Sequence, residues 1–219
     1  MSRDELKRQA AEAAAAEVAD GMVVGLGTGS TAAFLIEALI RRVGEGLRIQ
    51  AIPTSERSAA QARAGGIPLT DFESHPAIDL TIDGADQVQV GRLDLIKGMG
   101  GALLREKIVA AASSRLLIVV DEGKLAARLA LPIPVEVVAF GWQATARRIA
   151  ALGGRPVRRD FVTDGGNLIL DCDFGTLADA ADLDRGLRAI VGVIETGLFI
   201  GRADAVLVGG AAGVRRLTP

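Results

Sequence analysis

The sequence is poor in the residues that build metal sites, disulfides and nucleic-acid stacking surfaces. Its 219 residues include one cysteine, Cys172, and one histidine, His75. An intramolecular disulfide and the multi-cysteine zinc sites are therefore excluded, and few soft metal ligands remain. Aromatic residues make up only 3% of the chain, which disfavours stacking of single-stranded nucleic acid. We expect neither a metal site nor a nucleic-acid partner.

Charge of one sign and long apolar runs are also missing. The 25 Lys and Arg residues nearly balance the 27 Asp and Glu residues, so no global field attracts polyanions, although a local basic cluster can still bind one phosphate. No apolar run reaches membrane-spanning length. The N-terminal stretch carries charges at Arg3, Asp4, Glu5, Lys7, Arg8 and Glu12. These charges interrupt any signal-peptide core, so we expect a soluble, cytoplasmic protein without a membrane partner.

The order of predicted elements indicates an α/β fold with two domains. Predicted strands at 22–26, 47–52, 67–70, 79–82 and 116–120 alternate with predicted helices. Such alternation is typical of a mainly parallel sheet flanked by helices, as in Rossmann-like folds. We therefore assign residues 1–130 and 203–219 to a catalytic α/β domain, to which the strand at 205–208 returns before a short tail.

A change of pattern begins at Leu131-Pro132-Ile133-Pro134, where the prolines suit a linker or an edge segment. The residues that follow indicate short strands, two helices and a hairpin turn at Thr163-Asp164-Gly165-Gly166-Asn167. We therefore expect residues 131–202 to form a smaller α+β domain of antiparallel strands and two helices.

The chemically richest stretch runs from residue 79 to residue 107. A strand-like run ends in Asp83-Gly84-Ala85-Asp86, which places both carboxylates at the carboxyl end of that strand, where open α/β sheets bind ligands. Lys97 follows, with Gly98, Gly100 and Gly101, and a predicted helix then carries Glu106. Glycine backbone N–H groups and a helix N-terminus favour an anionic ligand.

A second glycine loop, Gly25-Leu26-Gly27-Thr28-Gly29-Ser30-Thr31, separates a short strand from an apolar helix. Its spacing is neither that of a dinucleotide fingerprint nor that of a P-loop, so a nucleotide site is doubtful. Two interpretations remain, a phosphate-binding loop and a tight turn with a Ser or Thr helix cap. Four loops, around Thr28, Thr54, Asp83 and Lys124, are expected to meet at one edge of the sheet.

Taken singly, the polar residues of these loops have ordinary explanations. Asp83 and Asp86 suit caps of turns, whereas Lys97 and Lys124 suit solvated loops. Glu106 lies almost opposite the stripe formed by Leu104, Ile108 and Ala111, so it is expected to face solvent or a cleft. Only their joint placement favours catalysis.

Together the motifs resemble type A ribose-5-phosphate isomerase over nearly the whole chain. The motifs that carry the resemblance are Gly25–Thr31, Asp83-Gly-Ala-Asp86, Ile96-Lys-Gly-Met-Gly-Gly101, Arg105-Glu-Lys107, Pro134-Val-Glu-Val137, Leu152-Gly-Gly-Arg-Pro156, Thr163-Asp-Gly-Gly-Asn167 and Glu195-Thr-Gly-Leu-Phe199. The chain departs from that pattern at Met99, where glycine is usual, at Gln87, where an acidic residue is common, and at Val191, where proline is usual.

The resemblance implies interconversion of D-ribose 5-phosphate and D-ribulose 5-phosphate in the pentose phosphate pathway, without metal or organic cofactor, by a homodimer or tetramer. It implies that Glu106 is the catalytic base. It further implies substrate binding by Thr28, Gly29, Ser30, Thr31, Asp83, Gly84, Ala85, Asp86, Lys97, Gly98, Met99, Gly100 and Lys124. For the chemistry, Asp83 suits proton handling in ring opening, Lys97 suits stabilisation of negative charge, and Asp86 suits hydroxyl binding.

Two other classes of function fit parts of the pattern. A non-catalytic sugar-phosphate sensor would share the sheet and the phosphate loop, but the chain has no evident DNA-binding appendage. Acyl or coenzyme A transfer would use Glu106 as a nucleophile. Turnover of ribose 5-phosphate separates the isomerase from the sensor, and a thioester assay tests the transferase.

The scarcity of metal ligands in the sequence gives the first prediction. The isomerase activity implied by the resemblance should be unchanged after incubation with a chelator and removal of divalent ions, because no step of proton transfer between carbons requires a metal. A coupled assay for ribulose 5-phosphate measures this. Loss of activity in chelator, with recovery on adding a divalent ion, would contradict the prediction.

Overall fold

The computed structural model describes all residues, Met1–Pro219, and the chain divides into two compact units. Unit 1 comprises Met1–Ala85, Arg105–Lys124 and Arg202–Pro219, and unit 2 comprises Asp86–Leu104 and Leu125–Gly201. Unit 1 includes Arg202, which was predicted in the smaller domain, and the division also differs from the predicted boundaries for residues 86–104 and 125–130. These residues join unit 2 because their short strands pair with one another and with the strand at Leu198–Phe199.

Six α-helices and fourteen strands make up the fold. The helices are α1 (Arg3–Ala15), α2 (Ser30–Gly44), α3 (Glu56–Ala64), α4 (Leu103–Ala111), α5 (Trp142–Ala151) and α6 (Ala180–Arg188). The strands are β1 (Val23–Leu26), β2 (Gln50–Pro53), β3 (Leu80–Asp83), β4 (Gln87–Gln89), β5 (Leu95–Ile96), β6 (Leu116–Asp121), β7 (Leu125–Ala126), β8 (Ile133–Val137), β9 (Arg155–Val162), β10 (Leu168–Asp173), β11 (Val193–Thr196), β12 (Leu198–Phe199), β13 (Ala205–Gly210) and β14 (Gly213–Leu217). None of the helices is both long enough and apolar enough to cross a membrane.

Unit 1 is built on a six-stranded sheet in the order β14-β13-β6-β3-β1-β2. All of its pairs are parallel except β13 with β14, which confirms the predicted mainly parallel sheet and the return of the strand near residue 205. Apolar side chains of the strands form a buried core, and alanines of α1 pack in the same core. The predicted strand at 67–70 is wrong, because that segment makes only an isolated bridge from Leu69 to Ala51.

Strand β14 was expected to be a tail, and its exposure to solvent explains why. Almost all of its residues are exposed, so the sequence carries no run of apolar residues there. It nevertheless pairs with β13 over its whole length and forms an antiparallel edge of the sheet. Backbone hydrogen bonding, which sequence periodicity does not report, defines this strand.

Unit 2 contains the predicted antiparallel sheet, in the order β11-β8-β10-β9, together with helices α5 and α6. The hairpin turn between β9 and β10 is confirmed, since Gly166 N–H donates to the Thr163 carbonyl at 2.8 Å. Pro134 does not lie in a linker or an edge segment but inside β8, a central strand. The sheet accommodates it because the pairing of β8 with β11 ends at Val135.

A second small sheet in unit 2, in the order β12-β5-β4-β7, was not predicted. Its strands contain only two or three residues each, which is too short for a periodic pattern to be recognised in the sequence. This sheet carries the residue that precedes Lys97, so it fixes where the glycine loop of unit 2 begins.

The lone cysteine gives a test of the packing of β10. Cys172 is fully buried, and burial, with the Asp171 carboxylate nearby, raises the pKa of its thiol to about 12. Because the thiolate is the reactive form, we expect no alkylation of the native chain by iodoacetamide at pH 8, and full alkylation after unfolding. Mass spectrometry measures both. Native labelling at the rate of a free thiol would show that β10 is not packed as described.

Candidate active site

In unit 1, the carboxyl ends of four adjacent parallel strands meet at one sheet edge. These strands lie in the order β6-β3-β1-β2, so the loops that follow them, near Lys124, Asp83, Thr28 and Thr54, share that edge. The predicted convergence of four loops is therefore confirmed. In parallel open sheets this edge is the usual position of a ligand site.

The loops after β1 and β3 are in contact because Gly27 has no side chain. A Cβ on this residue would lie 2.6 Å from the Cα of Asp83 and 2.1 Å from its Oδ1, closer than atoms can approach. With glycine there, Asp83 Oδ1 accepts hydrogen bonds from the N–H of Thr28 at 3.0 Å and the N–H of Gly84 at 2.7 Å. Asp83, which ends β3 rather than lying beyond it, is almost fully buried.

Helix α2 begins directly after this contact, without a side-chain cap. Its N-cap is Gly29, whose φ is 114° and which makes no capping hydrogen bond, so the interpretation of Ser30 or Thr31 as a cap is wrong. Ser30 is exposed and Thr31 is half-buried at the first turn of this helix. An uncapped N-terminus has unsatisfied N–H groups and a partial positive charge, which suit a phosphate group.

The Thr28 hydroxyl belongs to a buried cluster that the sequence did not reveal. Its Oγ1 lies 2.7 Å from Thr54 Oγ1 and 2.8 Å from Ser55 Oγ. Ser58 completes the cluster, since its hydroxyl donates to the Gly27 carbonyl at 2.7 Å. Ser55 also caps α3 by accepting from the Ser58 N–H. The Thr28 side chain therefore fixes the loop, and the signal for it was the concentration of hydroxyl residues after β2.

Glu106 is buried, contrary to the expectation that it would face solvent or a cleft. It is 2% exposed, whereas Ile108, which was assigned to the core side, is 47% exposed. Helix α4 is apolar on two sides, and the side it buries contains Leu103, Val109 and Ala110. Burial of a carboxylate is costly in free energy, so the buried Glu106 is a candidate functional residue.

Lys124 ends a short 3-10 helix, Glu122–Lys124, that follows β6. It is half-buried. Asp121, the last residue of β6, is buried. Its carboxylate accepts from the Gly123 N–H at 3.0 Å and lies 3.5 Å from the guanidinium Nε of Arg3. Asp121 therefore fixes the turn that carries Lys124, a role the sequence did not suggest.

In unit 2, Lys97 is buried over an aromatic ring. The side-chain ammonium of Lys97 lies 5.4 Å from the centroid of the Phe199 ring. The backbone N–H of Lys97 donates to the Gly197 carbonyl at 2.9 Å. A Cβ on Gly197 would lie 2.3 Å from the Lys97 carbonyl oxygen. The motif at 195–199 therefore positions Lys97. Phe199 supplies the aromatic ring beside its ammonium, and Gly197 leaves room for its backbone carbonyl.

Side chains from outside the loop at residues 97–101 form hydrogen bonds with both its N–H and its carbonyl groups. Asp86 Oδ2 accepts from the Met99 N–H at 2.9 Å, so Asp86 binds this loop. Gly98, buried with φ of 102°, has a conformation that other residues rarely adopt. Met99 and Gly100 are exposed. The carbonyls of Gly98 and Met99 accept from Arg159, a residue that sequence analysis did not single out.

The remaining substrate-binding candidates lie on these same loops. Gly84 and Ala85 follow Asp83 and are half-buried, and a Cβ on Gly84 would lie 3.9 Å from Thr31 Cβ. In unit 1 the structure thus brings together Thr28, Thr31, Asp83 and Gly84. In unit 2 it brings together Asp86, Gly98 and Met99. No group of three or more His, Cys, Asp or Glu side chains is arranged to hold a metal ion.

Comparison with known proteins places this arrangement among sugar-phosphate enzymes. The family described as Ribose 5-phosphate isomerase A (phosphoriboisomerase A) matches residues 50–213. A ribose-5-phosphate isomerase A of Gloeobacter violaceus is 55% identical over 226 residues, covering 100% of this chain and 98% of that protein. The corresponding protein of Gluconobacter oxydans is 54% identical over 222 residues, covering 97% and 96%.

Solved structures agree with these sequence matches. Ribose 5-phosphate isomerase A of Methanocaldococcus jannaschii superimposes with a TM-score of 0.96 at 39% identity, and all of both chains is covered. A D-ribose-5-phosphate isomerase in complex with phospho-erythronic acid also has a TM-score of 0.96, at 36% identity, again over all of both chains. Because the family model covers three quarters of the chain and relatives match it over its full length, the chain belongs to the ribose 5-phosphate isomerase A family of enzymes.

Proposed function

We propose that this enzyme interconverts D-ribose 5-phosphate and D-ribulose 5-phosphate through an enediolate, with Glu106 as the general base. The observation that carries the proposal is the burial of the Glu106 carboxylate, 2% exposed, on α4 directly after the glycine loop at 97–101. Its position in the motif Arg105-Glu106-Lys107, by which the chain resembles its family, gives independent support. The substrate is a pentose 5-phosphate, and the reaction belongs to the pentose phosphate pathway.

The substrate phosphate is assigned to the start of α2. Gly29 leaves the first turn of the helix without a side-chain cap, and Ser30 and Thr31 add hydroxyl donors there. Both features favour a dianionic group over a neutral one. The binding of phospho-erythronic acid by a relative of the same fold supports a phosphorylated ligand for this chain. Lys124, with its positive charge, is assigned to the same ligand.

Proton transfer requires one base and balances without any other reactant. Glu106 takes the proton from C2 of the open-chain aldose, and the electron pair forms the C1–C2 double bond while negative charge develops on the C1 oxygen. The protonated Glu106 then returns the proton to C1 as the C2 oxygen becomes a carbonyl, and the proton that leaves the C2 hydroxyl is transferred to the C1 oxygen. One carboxylate thus serves as base and then as acid.

The other polar groups act on oxygen atoms of the substrate. We assign Lys97 and N–H groups of its loop to the negative charge of the enediolate, since preorganised donors stabilise charge that develops in the transition state. Asp83, held by two backbone N–H groups, is assigned to the hydroxyl proton in ring opening. Asp86 is assigned to substrate hydroxyl binding in addition to its bond with Met99.

The family resemblance also supports a cytoplasmic homo-oligomer, either a dimer or a tetramer. It supports catalysis without an organic cofactor. These assignments rest on the resemblance and not on a contact within the chain.

Replacement of Glu106 by Gln tests the base directly. The Gln side chain keeps the size and removes the basic group, so turnover should fall by about 10²–10⁴-fold while ribose 5-phosphate still binds. Exchange of the substrate C2 hydrogen with deuterated solvent, followed by NMR, should fall with turnover. Thermal unfolding reports whether the variant remains folded.

The matched control is Glu45→Gln, which neutralises an exposed glutamate at the end of α2 and should leave turnover unchanged. A folded Glu106→Gln variant with near wild-type turnover would remove Glu106 from the mechanism. Asp83 would then be the next base to test.

Replacement of Ser30 by Ala tests the phosphate assignment. Loss of a hydrogen bond to a charged group is worth roughly 1.5–3 kcal/mol, so affinity for ribose 5-phosphate should fall about tenfold or more. Ser30→Thr, which retains the hydroxyl, should bind nearly as well as the original chain. Calorimetry or inhibition by the phosphorylated sugar measures the affinity. Equal weakening toward unphosphorylated ribose would contradict the assignment.

A further inference from the structure

A guanidinium group on β9 holds the loop at residues 97–101 by its carbonyl oxygens. Nη1 of Arg159 donates to the carbonyls of Gly98 and Met99, both at 3.1 Å. The rest of the same guanidinium is bound to Asp171 on β10, with Nε at 2.9 Å from Oδ2 and Nη2 at 2.5 Å from Oδ1. The Arg159 side chain is about four-fifths buried.

We infer that Arg159 is a positioning residue, which fixes the direction of the N–H groups that the 97–101 loop presents to substrate. The inference rests on the proposed function, because it concerns the action of that loop on the enediolate oxygen. A trans peptide group is planar, and its C=O and N–H point in opposite directions. Two carbonyls that converge on one guanidinium nitrogen therefore direct the N–H groups of Met99 and Gly100 away from Arg159.

The Met99 N–H confirms this direction, since it donates to Asp86 Oδ2 at 2.9 Å. The second group that Arg159 orients is the N–H of Gly100, an exposed residue, and we assign this N–H to the ligand. Donors that are fixed before the reaction stabilise developing charge without having to reorganise. Arg159 would thus act on the rate through the backbone, without touching substrate.

An irregularity in β9 explains how this strand contacts the loop at 97–101. Between Val162 and Arg158 the register with β10 shifts, so β9 contains extra residues in a bulge. Bulges redirect side chains, and here both Arg159 and Phe161 reach the loop. The ring of Phe161 lies so close to Gly101 that a Cβ on the glycine would be 2.4 Å from Cε1.

Arginine is the residue type that this arrangement requires. Its planar group presents five donors in a fixed geometry, so one side chain can bind a carboxylate with two nitrogens and still reach two carbonyls. A lysine at this position would pair with Asp171 as a point charge and could not hold the same geometry. We therefore expect Arg159→Lys to behave more like Arg159→Ala than like the original chain.

The experiment compares Arg159→Ala and Arg159→Lys with a matched control, Arg155→Ala. Arg155 also lies on β9 and pairs across to β10, with Asp173 at 2.7 Å, but it has no bond to the loop. We expect kcat for ribose 5-phosphate to fall by about 10²-fold in the Arg159 variants, the scale of a misplaced or lost oxyanion donor, while KM changes by less than about threefold. The control should retain its kcat. A kcat within about threefold of the original in Arg159→Ala would overturn the inference.

Amide hydrogen exchange of the unliganded chain gives a readout independent of activity. In Arg159→Ala the amide of Met99 should exchange at least about tenfold faster, because the hydrogen bonds to a charged donor that order the loop are gone. The exchange rates of the β8 and β10 amides should be unchanged in Arg159→Ala. In Arg155→Ala, the exchange rates of these amides and of Met99 should all be unchanged. Unchanged exchange at Met99, or equal acceleration throughout the sheet, would overturn the inference. If the original chain fails to isomerise ribose 5-phosphate, the proposed function fails, and exchange at Met99 still decides whether Arg159 orders the loop.

Discussion

The close approach of Gly27 to Asp83 is the constraint on which the unit 1 part of the site depends. Parallel pairing of β1 with β3 brings the two chains side by side, and the missing side chain lets them stay together beyond the last paired residues. Asp83 can then accept the N–H of Thr28, and the Thr28 hydroxyl can enter the cluster after β2. The start of α2 is thereby fixed by the Asp83 carboxylate and the Thr28 hydroxyl and not by a side-chain cap, which leaves its first turn open to an anion.

The two glycine loops are ordered by the same two kinds of contact, a carboxylate that accepts from N–H and a side-chain donor that binds carbonyl oxygen. In the loop after β1, a carboxylate binds N–H groups, and hydroxyls bind a carbonyl oxygen. In the loop at 97–101, a guanidinium binds the carbonyls, while a carboxylate binds one N–H. Glycine gives each loop the freedom to adopt its path, and buried polar side chains then remove that freedom. Rigid loops of this kind have little ordering entropy left to lose when a ligand binds.

Sequence reasoning predicted the parts of the molecule that depend on local patterns. Buried parallel strands are short apolar runs, and the turn before β10 has characteristic turn residues, so both were found. It failed where tertiary contacts decide. Helix α4 is apolar on two sides, so its pattern did not reveal that Glu106 is buried. Thr28 and Thr54 are 26 residues apart and Arg159 and Gly98 are 61 apart, and no spacing rule links such residues.

The discontinuous course of the chain through unit 1 has a consequence for biosynthesis. Strand β13 lies between β6 and β14, yet it follows all of unit 2 in the sequence. A nascent chain therefore leaves β6 as an open edge until unit 2 and β13 have been synthesised. Exposed edges of parallel sheets pair readily with other chains, and non-local strand pairing is slow. The period before β13 and β14 emerge is thus when this polypeptide is most exposed to pairing with other chains.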